Sequence, residues 1–296
     1  MSVKMVTRSF LVLLSIFLLQ FPVGLFAQDN AAASQFVRFI PGDGTWEGEL
    51  QTAITTYENA IGVRVELVSA IHIAESFYYE ELNRHFQTRD AVLFELVAET
   101  GQISDLANQD TGASTVSFIQ RALANFLQLN FQLELIDYSA GNFIHADLSP
   151  QRLRQIMLAK NESFFSMFMS LALAQIATEQ AALAAGAKPS SFNMISVMNA
   201  LMAEDRNTAF KYLFAEELGR SEGMIVGPEL ENQLTILGDR NAVALQVLED
   251  ALKDGTNRRV SLFYGAAHMP GMERALTESM GFDQVDQRWL VAWQIP

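Results

Sequence analysis

Apolar and polar residues alternate over residues 50–57 and 63–70, and Glu58-Asn59-Ala60-Ile61-Gly62 lies between them, which predicts a β-hairpin. Residues 36–40 read as an earlier strand, closed by the turn Pro41-Gly42-Asp43-Gly44. The spacing then changes. Phe77, Tyr78, Leu82 and Phe86 recur as on one face of a helix over residues 75–87. Residues 90–97 form a near-continuous apolar run, as in a strand buried on both faces. A similar order returns far downstream: an apolar strand from Val260, a small-residue turn, His268, a helical stretch over 270–280 and a strand over 285–293. The first copy places His72 after the strand ending at Ala70, so one strand–histidine–helix–strand unit occurs twice.

Between the two units the pattern is mainly helical. Residues 99–113 are polar and predict a loop, and 114–131 predict a helix with Phe118, Leu123, Phe126 and Leu127 on one side. Residues 131–136 suit either a strand or the end of that helix. The stretch 136–149 is expected to be extended up to Ser149, an N-cap with Pro150 at the first helical position. From there to about 219 only helices are predicted. They include a Met-, Phe- and Ala-rich buried or semi-buried helix over 163–187, a break at Lys188-Pro189-Ser190-Ser191, and helices at 195–203 and 208–218. A strong helix over 239–252 takes Asp239 as N-cap and Gly255 as terminator. The expected class is α/β: a central mixed sheet carrying two strand–histidine–helix–strand units, with a helical insertion at about 150–220.

The N-terminus reads differently. Lys4 and Arg8 precede an apolar run over 10–26, followed by Gln28-Asp29-Asn30. Residues 1–27 therefore read as a secretory signal peptide, 28–49 as a leader and 50–296 as the folded domain. Leu25 occupies a position where a signal peptidase prefers a small residue, so the alternative is an uncleaved anchor, the one route to a membrane partner. The expected location is periplasmic or secreted. The chain has no cysteine, which excludes disulfides, thiolate catalysis and cysteine-based zinc sites. Its net charge is −14, or −16 once Lys4 and Arg8 are removed, which argues against nucleic acid as a partner.

The chain has four histidines, and His72 and His268 fall in matching contexts at strand ends, where α/β sheets bind ligands. Neutral imidazole is a metal ligand or a base. Glu95, after Val92-Leu93-Phe94, is a third ligand or a base that activates water; two histidines and one carboxylate would form a facial metal site. Arg240 and Asn241 open the helix at 239–252, where the helix dipole disfavours a cation, so Arg240 is expected to have an anionic or polar partner. His145 and Asp147, alternate residues of an extended segment, would point the same way as a secondary ligand pair. His85, beside Arg84 and Arg89, is expected at the surface. There is no HExxH, Walker A, Rossmann glycine or G-x-S-x-G pattern.

At Ser69-Ala70-Ile71-His72, Tyr78-Tyr79-Glu80-Glu81-Leu82, residues 90–95, Arg240-Asn241 and Tyr264-Gly265-Ala266-Ala267-His268, the chain resembles the TraB/Tiki family, which includes pheromone-shutdown proteins. That family is similar at a distance to ChaN haem-binding and erythromycin-esterase-type proteins. Its hallmark is a pair of Gly-x-x-His motifs with an intervening Glu and a later Arg. The second motif is intact at Gly265 to His268, and Ser69 stands where glycine is usual in the first. The resemblance implies an α/β fold with a His–Glu–His site at the carboxyl edge of the sheet. It also implies peptide hydrolysis dependent on a divalent metal of the Mn, Co or Zn class. His72, His268 and Glu95 would then be ligands or catalytic groups, with Arg240 steadying an oxyanion or the carboxylate. The expected partner is a peptide or a small-molecule substrate; the oligomeric state stays open. The alternatives are a non-catalytic module that binds peptide or haem, its pocket walled by the Met-rich helices, and a metal-independent esterase-like hydrolase.

Overall fold

The computed structural model describes residues 35–98, 124–184, 193–220 and 228–296. The expected signal peptide over 1–27, the expected loop over 99–113, the first part of the helix expected over 114–131 and the expected break at 188–191 lie outside the described residues.

A mixed sheet organises the chain, and the fold is α/β. Strand β1 (Val37–Pro41) pairs antiparallel with the first half of β2 (Gly48–Asn59), and β3 (Arg64–Ala70) pairs antiparallel with its second half. Residues 35–49, set apart by sequence as leader, are thus part of the sheet. The β2–β3 turn closes at Gly62, whose positive φ of 77° suits a residue without Cβ. Strand β5 (Ala91–Phe94) is shorter than predicted and ends before Glu95. Strand β8 (Arg259–Gly265) slots in parallel between β3 and β5, and β7 (Phe143–His145) pairs parallel on the far side of β5. The last strand, β9 (Phe282–Ile295), runs antiparallel along the whole of β2 with two register irregularities.

Alternation assigns the two faces. Val68, Ala70, Val92, Phe94 and Phe263 face one core, shared with Tyr78, Tyr79, Leu82 and Phe86 of helix α1 (Ser76–Phe86). Val65, Leu67, Ala91, Leu93, Leu262 and Tyr264 face a second core. Strands β3, β5 and β8 are covered on both sides, which is why they read as continuous apolar runs.

The sequence missed the shortest pieces. Strand β4 (Ile73–Ala74) pairs with β6 (Asn130–Phe131), and α2 (Gln132–Leu135) is a single helical turn where the sequence left strand and helix open. The extended stretch expected over 136–149 contributes only β7. Helix α3 (Pro150–Ala159) begins as predicted, with the Ser149 side chain accepting from the Arg152 N–H. Helices α4 (Phe164–Ala184), α5 (Met194–Met202) and α6 (Arg206–Arg220) form the helical insertion. Phe165 and Leu173 of α4 and Met194, Ile195 and Met202 of α5 are exposed. No described helix is long and apolar enough to cross a membrane.

After α7 (Pro228–Gln233), a π-helical turn over Thr235–Asp239 runs straight into α8 (Arg240–Leu252). Asp239 is itself helical and caps nothing; its carboxylate pairs with Lys160. Arg240 is therefore not at a free helix N-terminus, because the preceding π turn continues the helical path. Gly255 does end the helix, at φ 71°. A 3-10 turn over Ala266–His268 leads into α9 (Met269–Arg274), which with α8 covers the second core.

Candidate functional site

The parallel register brings the carboxyl ends of β3, β5, β7 and β8 to one edge. His72, Glu95, Asp147 and His268 all follow these ends within three residues, as topology requires of a site at a sheet's carboxyl edge. The two histidines are not at equivalent points, however. Ala70 is the lateral partner of Gly265, so His72 lies two residues past its strand position and His268 three.

Gly265 marks where the three groups meet. A Cβ there would stand 3.2 Å from Glu95 Oε2, 3.7 Å from His72 Nε2 and 4.0 Å from His268 Cδ2. Its φ of −55° and ψ of 145° are open to any residue, so the glycine is needed for space. Glu95 Oε2 accepts from the Gly265 N–H at 2.6 Å, Oε1 accepts from Arg240 Nη2 at 2.7 Å, and His268 Nε2 lies 3.5 Å from Oε1. Burial would raise the pKa of Glu95, but Arg240, His268 and His72 beside it override that cost. They hold its carboxyl well below the ordinary range.

Each imidazole is oriented from behind. His268 Nδ1 lies 2.6 Å from Asn241 Oδ1. The Asn241 amide nitrogen donates to Glu231 Oε1 at 2.8 Å, which leaves only the amide oxygen for the ring. His268 Nδ1 is therefore protonated, and its Nε2 faces Glu95. His72 Nδ1 lies 3.2 Å from Gln132 Oε1, whose amide nitrogen donates to Tyr138 Oη at 2.8 Å. Gln132 also donates its backbone N–H to the His72 carbonyl at 2.9 Å. The same follows for His72 Nδ1. The two rings differ in setting: His268 is buried and His72 is exposed.

Arg240 has two anionic partners, although it does not stand at the free helix N-terminus on which that expectation rested. Nε and Nη2 donate to the two Asp147 oxygens at 2.9 and 2.6 Å, a bidentate fork, while Nη2 also reaches Glu95. Burial lowers the pKa of the guanidinium, and Glu95 and Asp147 more than offset this, so it stays charged. The predicted His145–Asp147 ligand pair does not form. His145 Nε2 contacts the Leu96 carbonyl at 2.6 Å, and its ring packs edge-on to Phe94. The strand ends at His145, so period-two alternation no longer governs Asp147. His85 is not at the surface either: it is buried, with Nε2 2.8 Å from Glu66.

Among the described residues, no three His, Asp or Glu side chains stand close enough together to hold a metal as arranged. The donor types nevertheless fit: two imidazole Nε2 atoms and a carboxylate converge, and the exposed His72 has room to move toward the other two.

Sequence reasoning named His72, Glu95, His268, Arg240, Asp147 and Asn241 but missed Gln132, Tyr138 and Glu231. Gln132 left only a faint signal, as one of two polar residues, with Glu134, among the apolar positions of residues 131–136. Glu231 left none, because it sits in an acidic stretch that reads as a solvated helix face. No family model matches the chain, and no curated protein matches it.

Proposed function

We propose that this chain is an exported metal-dependent hydrolase acting on peptides or related small substrates, with His72, His268 and Glu95 as its cation site. The observation that carries the reading is the paired orientation of the imidazoles. Each Nδ1 is held by an amide oxygen, His268 Nε2 lies 3.5 Å from the Glu95 carboxylate, and His72 Nε2 borders the same space above Gly265, the outer-shell arrangement that steadies metal-ligating histidines. Two neutral imidazoles and a carboxylate suit a divalent ion of the Mn, Co or Zn class. Such an ion would supply Lewis acidity toward a carbonyl oxygen and a water.

The protein's own groups divide the remaining work. A carboxylate held well below its ordinary pKa is a weak proton acceptor, which favours Glu95 as ligand and orienting group over Glu95 as base. Arg240 holds that carboxylate in place and keeps Asp147 satisfied; its Nε and Nη2 donors are engaged within the protein. This is the second of the two roles the TraB/Tiki resemblance implies for the arginine.

A second reading, metal-independent hydrolysis, is favoured by the exposure of His72. Its Nε2 is open to water, and an imidazole nitrogen can take a proton from it.

The test is elemental analysis of the purified chain lacking residues 1–27, beside a His72→Ala/His268→Ala double variant, with hydrolysis of a peptide library in parallel. About one divalent ion per chain, lost with hydrolysis in the double variant, is expected. Hydrolysis that survives exhaustive chelation would move the assignment to the second reading. Neither metal nor hydrolysis, with a Soret band on adding haem, would replace both with a binding module.

A further inference from the structure

We infer that the Tyr138 hydroxyl is the group that donates a hydrogen bond to the substrate oxygen on which negative charge develops. The inference rests on the hydrolase reading and adds a substrate-contacting residue to it. Acyl transfer needs a donor aimed at that oxygen, and a cationic arginine is the usual first candidate. Arg240 is poorly free to serve: Nε and Nη2 are bound to Asp147 and Glu95, Nη1 leans toward the Ile236 carbonyl at 3.5 Å, and the residue is buried.

Tyr138 has the opposite properties. Its oxygen accepts from Gln132 Nε2 at 2.8 Å, and among the described residues its own proton has no acceptor. The ring is half-buried and packs against Phe94 at 5.0 Å, one residue before Glu95. It therefore stands on the His72 side of Glu95, joined to that ring through Gln132, while Arg240 and Asp147 pair beside Glu95 and His268. Burial and the nearby charge of Glu95 push the phenol pKa upward, so the proton stays available for donation at neutral pH. Gln132 links Tyr138 to His72 through one amide, which fixes the distance between the hydroxyl and the imidazole that faces Glu95.

The experiment compares the mature chain with Tyr138→Phe on two readouts: affinity for Zn²⁺ alone, and affinity of the Zn²⁺-loaded protein for acetohydroxamate, a small oxyanion probe. Hydrolysis of the best library peptide is measured alongside. The expected result is unchanged Zn²⁺ affinity, acetohydroxamate affinity weaker by about tenfold or more, and a kcat lower by about a hundredfold with KM little altered. Unchanged probe affinity and kcat overturn the assignment. A matching loss of Zn²⁺ affinity also overturns it, because Tyr138 would then act through Gln132 on His72. If the wild-type chain binds neither Zn²⁺ nor the probe and hydrolyses nothing, the hydrolase reading falls and this assignment falls with it. Loss confined to Tyr138→Phe leaves that reading standing.

Discussion

Gly265 controls the candidate site from a position that touches no ligand with a side chain of its own. It donates its N–H to Glu95, and the space above its Cα is where Glu95, His72 and His268 converge. Gly265→Ala has no backbone penalty, since φ is −55°, but its methyl would press on Glu95 Oε2 at 3.2 Å. The expected outcome is a loss of metal affinity of about tenfold with urea stability within about 0.5 kcal/mol of wild type, measured by metal titration and equilibrium unfolding. Equal losses of affinity and stability would show that the glycine serves packing instead. At this scale the sequence was informative where a polar residue ends an apolar run. His72, Glu95 and His268 stand out because a strand buried on both faces has no other place for them. Gln132 and Glu231 do not stand out, because their role depends on which ring they meet across 60 residues of chain in one case and a neighbouring helix in the other.

The Glu231 side chain of α7 fills the space above Gly271 of α9. A Cβ at Gly271 would lie 1.6 Å from Glu231 Oε1 and 2.7 Å from Asn241 Nδ2. The Glu231–Asn241–His268 connection therefore depends on α9 lying against α7, with Arg274 of α9 completing the pairing to Glu231. Gly271→Ala should displace the Glu231 carboxylate from Asn241 and Arg274, costing about 1–3 kcal/mol in urea unfolding and releasing the His268 ring. The ¹⁵N shifts of His268 would report mixed tautomers, whereas a single tautomer and wild-type stability would refute the coupling. Regular elements such as β3, α1, α3 and α8 were readable because each spans enough residues to show a period. Two-residue strands show none, so β4 and β6 were invisible. The π turn before Arg240 was likewise hidden: Gly238-Asp239 looks like a helix start, and only contact with the rest of the fold keeps the chain helical through it.

Across the whole molecule, acid should act through the buried carboxylates. Glu66 lies under α1, bonded to His85, Ser261 and Arg89. Burial raises its pKa, but these partners bring it below the ordinary value of 4.5. A depressed folded pKa means that the stabilisation is present above about pH 4.5 and is lost as pH falls through the folded value. Glu66→Gln should cost about 1–3 kcal/mol at pH 7 and give a shallower fall of Tm between pH 5 and 3. Parallel Tm profiles for the two proteins would show that Glu66 does not carry this acid sensitivity. The general architecture was legible because both strand–histidine units carry their own pattern, but the pairing of β9 with β2 was not, since alternation specifies a face and never a neighbour. The placement of β8 has a temporal consequence. It occupies the slot between β3 and β5, with Arg64 beside Arg259 across 195 residues of chain. As the polypeptide leaves the ribosome, β3 and β5 must wait unjoined until β8 arrives. The edge that carries the candidate site is therefore assembled late, and an incompletely delivered chain holds His72 and Glu95 apart from His268.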